Sequence, residues 1–381
     1  MLNPTDLTNL TTLRRTLHRR PELSGYEVET ARTITDALHA LAPTQVITGL
    51  GGHGVAAVFD SGSPGPTVLF RAELDALPIT ETSDRPWVSD IPGKGHLCGH
   101  DGHMAILLGL GWLIARRSPA LGRIVLLFQP AEEIGAGARA VIDDPAFATI
   151  IPDYAFAIHN FPGLPLGHVG LRAGLMNCAS LGLAIRLSGK TAHAATPDTG
   201  LSPGPALARL LSALPDLAQG GTLDDSFRLL TVTHAQLGAP TFGVAPGEAL
   251  LHVTLRAAQD AALAALEAQV RDLARQAAMQ DGLVLQIETV EPFAATLNAP
   301  EAVKIAQDAL RTCGIPFGEA GVPMHASEDF GLFGHRAQSA LLCLGAGTTH
   351  PALHNPDYDF PDALIPTGVA IFAQIARDIL G

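Results

Sequence analysis

Arg123-Ile-Val-Leu-Leu-Phe128 is followed at once by Gln129-Pro-Ala-Glu132-Glu133. After Arg123 the first stretch is apolar at every position, the pattern of a strand buried on both faces. Such strands belong to sheets covered by helices, and open sheets of this kind gather ligands beyond the carboxyl ends of their strands. The apolar strand therefore indicates the fold class, and the two adjacent glutamates at its end are one candidate for where chemistry lies. Three further runs read the same way. Thr67–Arg71 leads into Asp75, Tyr154–Ile158 into His159-Asn160, and Ala340–Leu344 into His350 and His354. Between them the spacing predicts helices: one capped by Thr5 and Asp6 and stopped by Pro21, one over Tyr26–Leu41, and one over His103–Arg117. Gly54–Asp60 adds a strand joined to Thr67–Arg71 by a Ser/Gly/Pro turn. Strands alternating with helices make an α/β domain on a parallel or mixed sheet.

The middle of the chain has another pattern. Leu181–Ser188, Leu229–Leu237, Ala249–Arg256 and Leu283–Val290 read as strands, and Pro205–Ala213 and Ala261–Met279 as helices. This is a compact α+β module. It is inserted, because the α/β pattern resumes after Asn298. The expected organisation is an α/β domain in two parts, 1–178 and 293–381, around an inserted domain, 179–292.

Composition narrows the function. The 381 residues carry 24 Lys+Arg against 37 Asp+Glu, a formal charge of −13, yet only 16% are charged. Ordinary domains average about 25%, so the acidity comes from a shortage of basic residues. No nucleic acid partner is expected, since counterion release needs a basic surface. No membrane span is expected either, because the longest apolar run, Ala105–Ala115, is about half of the roughly 20 residues required. The N-terminus lacks the basic and apolar regions of a signal peptide. Cys98, Cys178, Cys313 and Cys343 are scattered, which reads as reduced thiols in a cytoplasmic protein. The fifteen histidines are the unusual feature, since histidine is the commonest metal ligand.

In Cys98-Gly-His100-Asp101-Gly-His103, residues two apart on an extended segment face the same way, so Cys98 and His100 can point at one ion. Thiolate beside imidazole suits zinc and similar divalent metals; taken alone, the segment also reads as a buried Cys beside a capping Asp. Glu132 and Glu133 taken alone read as helix-capping or exposed residues. Beside a metal, one can ligate while the other serves as a general base. Among the other histidines, His18, His39, His53 and His335 read as surface or capping residues. His234 and His252 read as structural, and so, by itself, does His193 in its small-residue loop. Ser327-Glu-Asp-Phe330 reads as a helix start capped by Ser327, with no chemistry assigned.

These pieces together resemble the aminoacylase/carboxypeptidase-type dinuclear metallohydrolases, in particular the N-acyl-amino-acid amidohydrolase branch that includes hippurate hydrolases and hydrolases of indoleacetate–amino acid conjugates. The matching segments are Leu13–Glu22, Arg71–Pro78, Cys98–His103, Phe128–Glu133, His159-Asn160, Gly189–Ala194, Ser327–Phe330 and Leu353–Pro356. They run from the first helix nearly to the end of the chain.

The resemblance implies two divalent ions (Zn, Mn, Co or Ni) held by Cys98, His100, Glu133, His159 and His354, with Cys98 bridging. It makes Glu132 the general base and acid and Asp75 the residue that orients a ligand. The inserted domain would be a lid and the homodimer contact. His193 would then stabilise the oxyanion in a partner's site, and Arg256 would hold the substrate carboxylate. The sequence departs from the family pattern twice. Glu73 stands where Asp is usual, and in Phe242-Gly-Val-Ala-Pro246 Gly243 stands where the lid motif carries Asn. The expected reaction is hydrolysis of a small N-acyl amino acid. The alternatives are a dipeptidase or carboxypeptidase using the same site, and a metal-stabilised binding protein without turnover.

Overall fold

The run Arg123–Gln129 is a strand near one side of an eight-stranded mixed sheet. In the computed structural model, which describes residues 1–217 and 220–381, this sheet belongs to a unit formed by Met1–Met176, Thr296–Pro323 and Glu328–Gly381. The strand order is Gln45–Leu50, Gly54–Asp60, Arg123–Gln129, Thr67–Glu73, Tyr154–Pro162, Gln338–Gly347, Val169–Gly170 and Phe317–Gly318. Four neighbours in the middle, Arg123–Gln129, Thr67–Glu73, Tyr154–Pro162 and Gln338–Gly347, are mutually parallel. Parallel pairing sends all four carboxyl ends to the same edge, which is why residues far apart in sequence converge there.

Burial explains the lack of alternation. Thr67–Glu73 is buried along its whole length and Arg123–Gln129 from Ile124 onward. Phe70 packs its ring 5.9 Å from that of Phe156 and 4.9 Å from that of Phe372; burying one such side chain stabilises the fold by about 1.5–3 kcal/mol. The first helix, Pro4–His18, is capped by Asn3 and not by Thr5 or Asp6. Asp6 instead completes a reciprocal box, accepting from the Asn3 backbone N–H at 2.8 Å. Asp362–Leu380 is, among the described residues, the one helical stretch long and apolar enough to cross a membrane. Here Val369, Phe372, Ile375 and Leu380 on it are part of the unit's core.

The second unit comprises Asn177–Ala295 and Met324–Ser327. Its antiparallel sheet has the order Arg228–Leu237, Glu248–Ala257, Ala179–Ser188, Val284–Phe293. Glu248–Ala257 buries every second residue, the mark of a sheet covered on one face. The helices Gly204–Ala213 and Asp260–Asp281 cover it, packing Leu207, Leu210, Leu266 and Val270 against Leu251, Val253 and Leu255. A short ribbon pairs Ala192–His193 with Val244–Ala245, placing His193 opposite Val244.

Candidate metal centre

The helix that follows Cys98 begins at His100, earlier than its apolar run implies. Cys98 and His100 do not converge through an extended backbone, as the two-residue spacing predicts, because Gly99 lies in the left-handed region at φ 88°. A Cβ at Gly99 would fall 2.1 Å from the Asn160 side-chain oxygen. Only glycine fits both the turn and this approach. On the neighbouring strand, pairing with Gln338–Gly347 continues past Ile158 to Pro162, so His159 lies inside the strand opposite Cys343. The turn after Gln129 is built on Ala131, at φ 52°, whose N–H donates to Glu27 at 2.8 Å. His354 is also left-handed, at φ 66°, and its N–H donates to the Leu97 carbonyl at 2.8 Å. Such conformations cost about 1–3 kcal/mol each and persist where the surroundings over-determine them.

Side-chain contacts set which ring nitrogens are free. His100 Nδ1 lies 2.8 Å from the Asp75 carbonyl, and its Nε2 lies 3.8 Å from both Glu132 and Glu133. His159 Nδ1 faces the Asn160 carbonyl at 2.8 Å, leaving Nε2 3.5 Å from Cys98 Sγ. His354 Nε2 is 3.6 Å from Glu133 Oε2, with its side chain half exposed. Asp75 accepts from the Glu133 N–H at 2.9 Å and from Ser24 Oγ at 2.7 Å. The structure thus brings together Cys98, His100, Glu132, Glu133, His159, His354 and Asp75.

Two ligand groups share Cys98: Cys98/His100/His159 and Cys98/Glu133/His354, each with donor atoms within 4.8 Å of one another. His100 Nε2, Glu133 Oε1 and Asp75 Oδ1 are buried without a hydrogen-bond partner. Orphaned atoms of this kind are costly, and in native sites they mark an ion or water. Sulfur, imidazole and carboxylate donors together fit a borderline divalent metal. Two other groups fit less well. In Glu73/His100/His103, His103 Nε2 accepts from the Asn160 N–H at 3.1 Å while Nδ1 meets Glu73 at 2.6 Å, so both its nitrogens are taken. In Glu132/Glu328/Asp329, the Arg71 guanidinium already supplies positive charge, at 2.9 Å from Glu328 and 2.7 Å from Asp329.

The electrostatics call for a cation. Burial opposes a charge on His100, but Glu73, Asp75 and Glu133 outweigh it and lift its pKa to about 10. Burial, then the charges of Glu133, Glu132 and Glu73, push the Cys98 thiol well up. Burial lifts Glu133 to about 7 and lowers His159 to about 4.

Several residues differ from their sequence reading. His18 is not at the surface: it is fully buried, with Nδ1 2.9 Å from Asp101 and Nε2 3.2 Å from Glu81. Burial opposes its charge, but these carboxylates carry its pKa to about 9. Ser327 is not a cap; Glu328 caps Asp329–His335, accepting from the Phe330 N–H at 3.1 Å. Glu328 and Asp329 join a buried network around Arg71 that sequence reasoning missed. Arg71 pairs with Glu73 and donates to Gln129 at 3.0 Å, and Gln129 Nε2 donates to Asp329 at 2.8 Å. The available signal was Arg71 itself, a charge at the end of an apolar run that must be paired if buried.

His193 and Arg256 lie on the second unit. His193 is exposed, with Nδ1 accepting from the Ala195 N–H at 3.1 Å. Arg256 donates to the His325 carbonyl and to Ser327 Oγ, both at 2.9 Å. Gly243 accepts from the Ala194 N–H at 3.0 Å, and a Cβ there would meet nothing within 4 Å. Its missing side chain is not imposed by packing.

A thiol, imidazoles and carboxylates gather at the carboxyl ends of the parallel strands of the mixed sheet, and the chain is a metal-dependent hydrolase of the amide-cleaving class. Peptidase family M20/M25/M40 matches residues 69–378, and the chain belongs to that family. It is 29% identical over 379 residues to an N-acetylcysteine deacetylase of Bacillus subtilis, covering 98% of this chain and 97% of the relative. It is 28% identical to the hippurate hydrolase of Campylobacter jejuni, covering 97% and 96%. An IAA-amino acid hydrolase of Arabidopsis thaliana is 30% identical, covering 97% and 84%. Among solved structures, a dinuclear metal-binding peptidase of this family from Bacillus subtilis superposes with a TM-score of 0.82, at 27% identity and 99% coverage of each chain.

Proposed function

We propose that this chain hydrolyses the amide bond of small N-acyl amino acids at a two-ion centre. Cys98, His100, Glu133, His159 and His354 would hold the ions, with Cys98 shared between them. A bound pair of divalent ions, whether Zn, Mn, Co or Ni, would supply an acidified water and a polarised amide carbonyl. The observation that carries the reading is Glu132, a buried carboxylate beside the ligand set and 3.8 Å from His100, left over once Glu133 is used. Glu132 takes the proton of the attacking water on its carboxylate and returns it to the leaving amine. Burial, then the charges of Glu328, Glu133 and Asp329, raise its pKa well above that of an ordinary glutamate. Asp75 orients His100 through its main-chain oxygen and steadies the Glu133 backbone.

On the second unit, His193 would stabilise the oxyanion in a partner's site and Arg256 would hold the substrate carboxylate. The same unit would act as lid and homodimer contact. Its two edge strands support the latter, since Leu237 on one and Val284 and Val290 on the other are exposed and open edges invite pairing. Four free cysteines suit a reducing compartment, and the proposed location is the cytoplasm.

The test is a panel of N-acyl amino acids and dipeptides offered to metal-reconstituted enzyme, with ions counted by elemental analysis. Two ions per chain and turnover of the acyl amino acids are expected; turnover confined to dipeptides would move the reading to a dipeptidase. Ion uptake near neutral pH should also release protons, because without ions the Cys98 thiol is pushed up and His100 sits at about 10, and ligands must deprotonate to bind. Calorimetric titration of zinc in buffers of different ionisation enthalpy reads this directly. A binding heat that does not vary with buffer would contradict it.

A further inference from the structure

Behind the candidate centre lies a second charged group that the proposed chemistry does not use. Arg14, on the first helix, is fully buried. Its guanidinium donates to Asp359 at 2.6 Å, to Asp101 at 3.3 Å and to Asp362 at 2.8 Å. Asp101 follows His100 directly, and Asp359 lies on the segment that carries His354. A guanidinium offers five donors in a fixed fork, so one side chain can join carboxylates from separate segments.

The two ends of this brace are not equally firm. His100 sits on a buried helix, and its ring is fixed through Asp75. His354 has a half-exposed side chain on a left-handed backbone, so its place depends on what holds the segment around it. That segment is tied at Asp359, which accepts from Arg14, from Trp87 Nε1 at 3.1 Å and, through its carbonyl, meets His350 Nε2 at 2.7 Å. Next to it, Tyr358 Oη accepts from Asn160 Nδ2 at 2.7 Å, and Asn160 follows His159.

We propose that Arg14 is a positioning residue that sets the place of His354, and through it the retention of one of the two ions. The inference rests on the ligand assignment of the proposed function. It is tested by titrating zinc alone against a chromophoric chelator, 4-(2-pyridylazo)resorcinol, in the full-length wild type, Arg14→Lys, Asp359→Asn, His354→Ala and the corresponding double variants. Lysine keeps the charge of Arg14 but cannot span three carboxylates. Arg14→Lys and Asp359→Asn are expected to weaken one zinc ion by about 10–100-fold, the effect usual for residues behind a ligand, and to leave the other at its wild-type affinity. Added to His354→Ala, neither substitution should cost anything further, because residues acting through one another do not add.

Unchanged affinities in folded variants overturn the inference, as do losses that add in the double variants. If Arg14→Lys does not fold, Asp359→Asn carries the same cycle. If neither folds, the group is an ordinary core ion pair and the inference fails. A wild type that binds a single zinc ion contradicts the proposed function while the shared effect of Arg14 and His354 can still be read. A wild type that takes up no zinc overturns both.

Discussion

Glu132→Gln is expected to give a folded, zinc-binding chain whose kcat falls by about 10²–10⁴-fold, the usual contribution of a positioned acid–base group. The substitution keeps shape and volume and leaves Cys98, His100, Glu133, His159 and His354 in place. What it removes is the ability to accept a proton, since a glutamine amide cannot. Because proton transfer belongs to the transition state, KM should move little while kcat and kcat/KM fall together. Steady-state kinetics and zinc stoichiometry on the same preparation separate the outcomes. An unchanged kcat would sink the role of Glu132. Loss of zinc would instead make Glu132 a ligand, an arrangement the His100/Glu132/Glu133 group also permits.

Much of this site is legible in the sequence, and the reason is topological. Four apolar strands without alternation have to be buried in a mixed or parallel sheet, and parallel pairing puts Asp75, Glu132, Glu133, His159 and His354 at one edge. Period and burial carry that information, so no contact has to be guessed. What was not legible depends on single backbone angles or on pairing across long separations. Cys98 and His100 converge through the left-handed Gly99, which no two-residue pattern conveys. His18 lies on an amphipathic first helix that looks solvent-facing at its end; its burial follows from Asp101 and Glu81, both distant in sequence. Ser327–Phe330 is a helix start, as its residues indicate, but the cap is Glu328. Helix caps and buried ion pairs use the same residues, so the second role of Glu328 and Asp329 did not show. Only the arrival of Arg71 from another strand reveals it.

Arg71→Met is expected to cost about 3–5 kcal/mol of stability, the usual consequence of removing one partner from a buried ion group. The methionine fills a similar volume, so the loss would not come from a cavity. It would come from Glu73, Glu328 and Asp329, all buried, which lose the Arg71 guanidinium that pairs with each of them. Stranded carboxylates respond by taking up protons, and this gives the prediction a pH signature that ordinary core damage lacks. Burial has already lifted Asp329 from the ordinary 3.8 to about 7 with Arg71 in place, and without it the value must rise further. A carboxyl whose folded pKa exceeds its unfolded one binds more protons when folded. Its stabilising contribution is therefore complete below the unfolded pKa and is lost as pH rises through the folded one. Arg71→Met should accordingly lose more stability than the wild type between about pH 5 and about pH 8, as read from denaturation midpoints at each pH. Arg71→Lys, which restores one charge without the fork, should fall between the two. If the Arg71→Met profile runs parallel to the wild type across that range, the carboxylates are being compensated by something other than Arg71, and the network does not hold its charge in the way the distances imply.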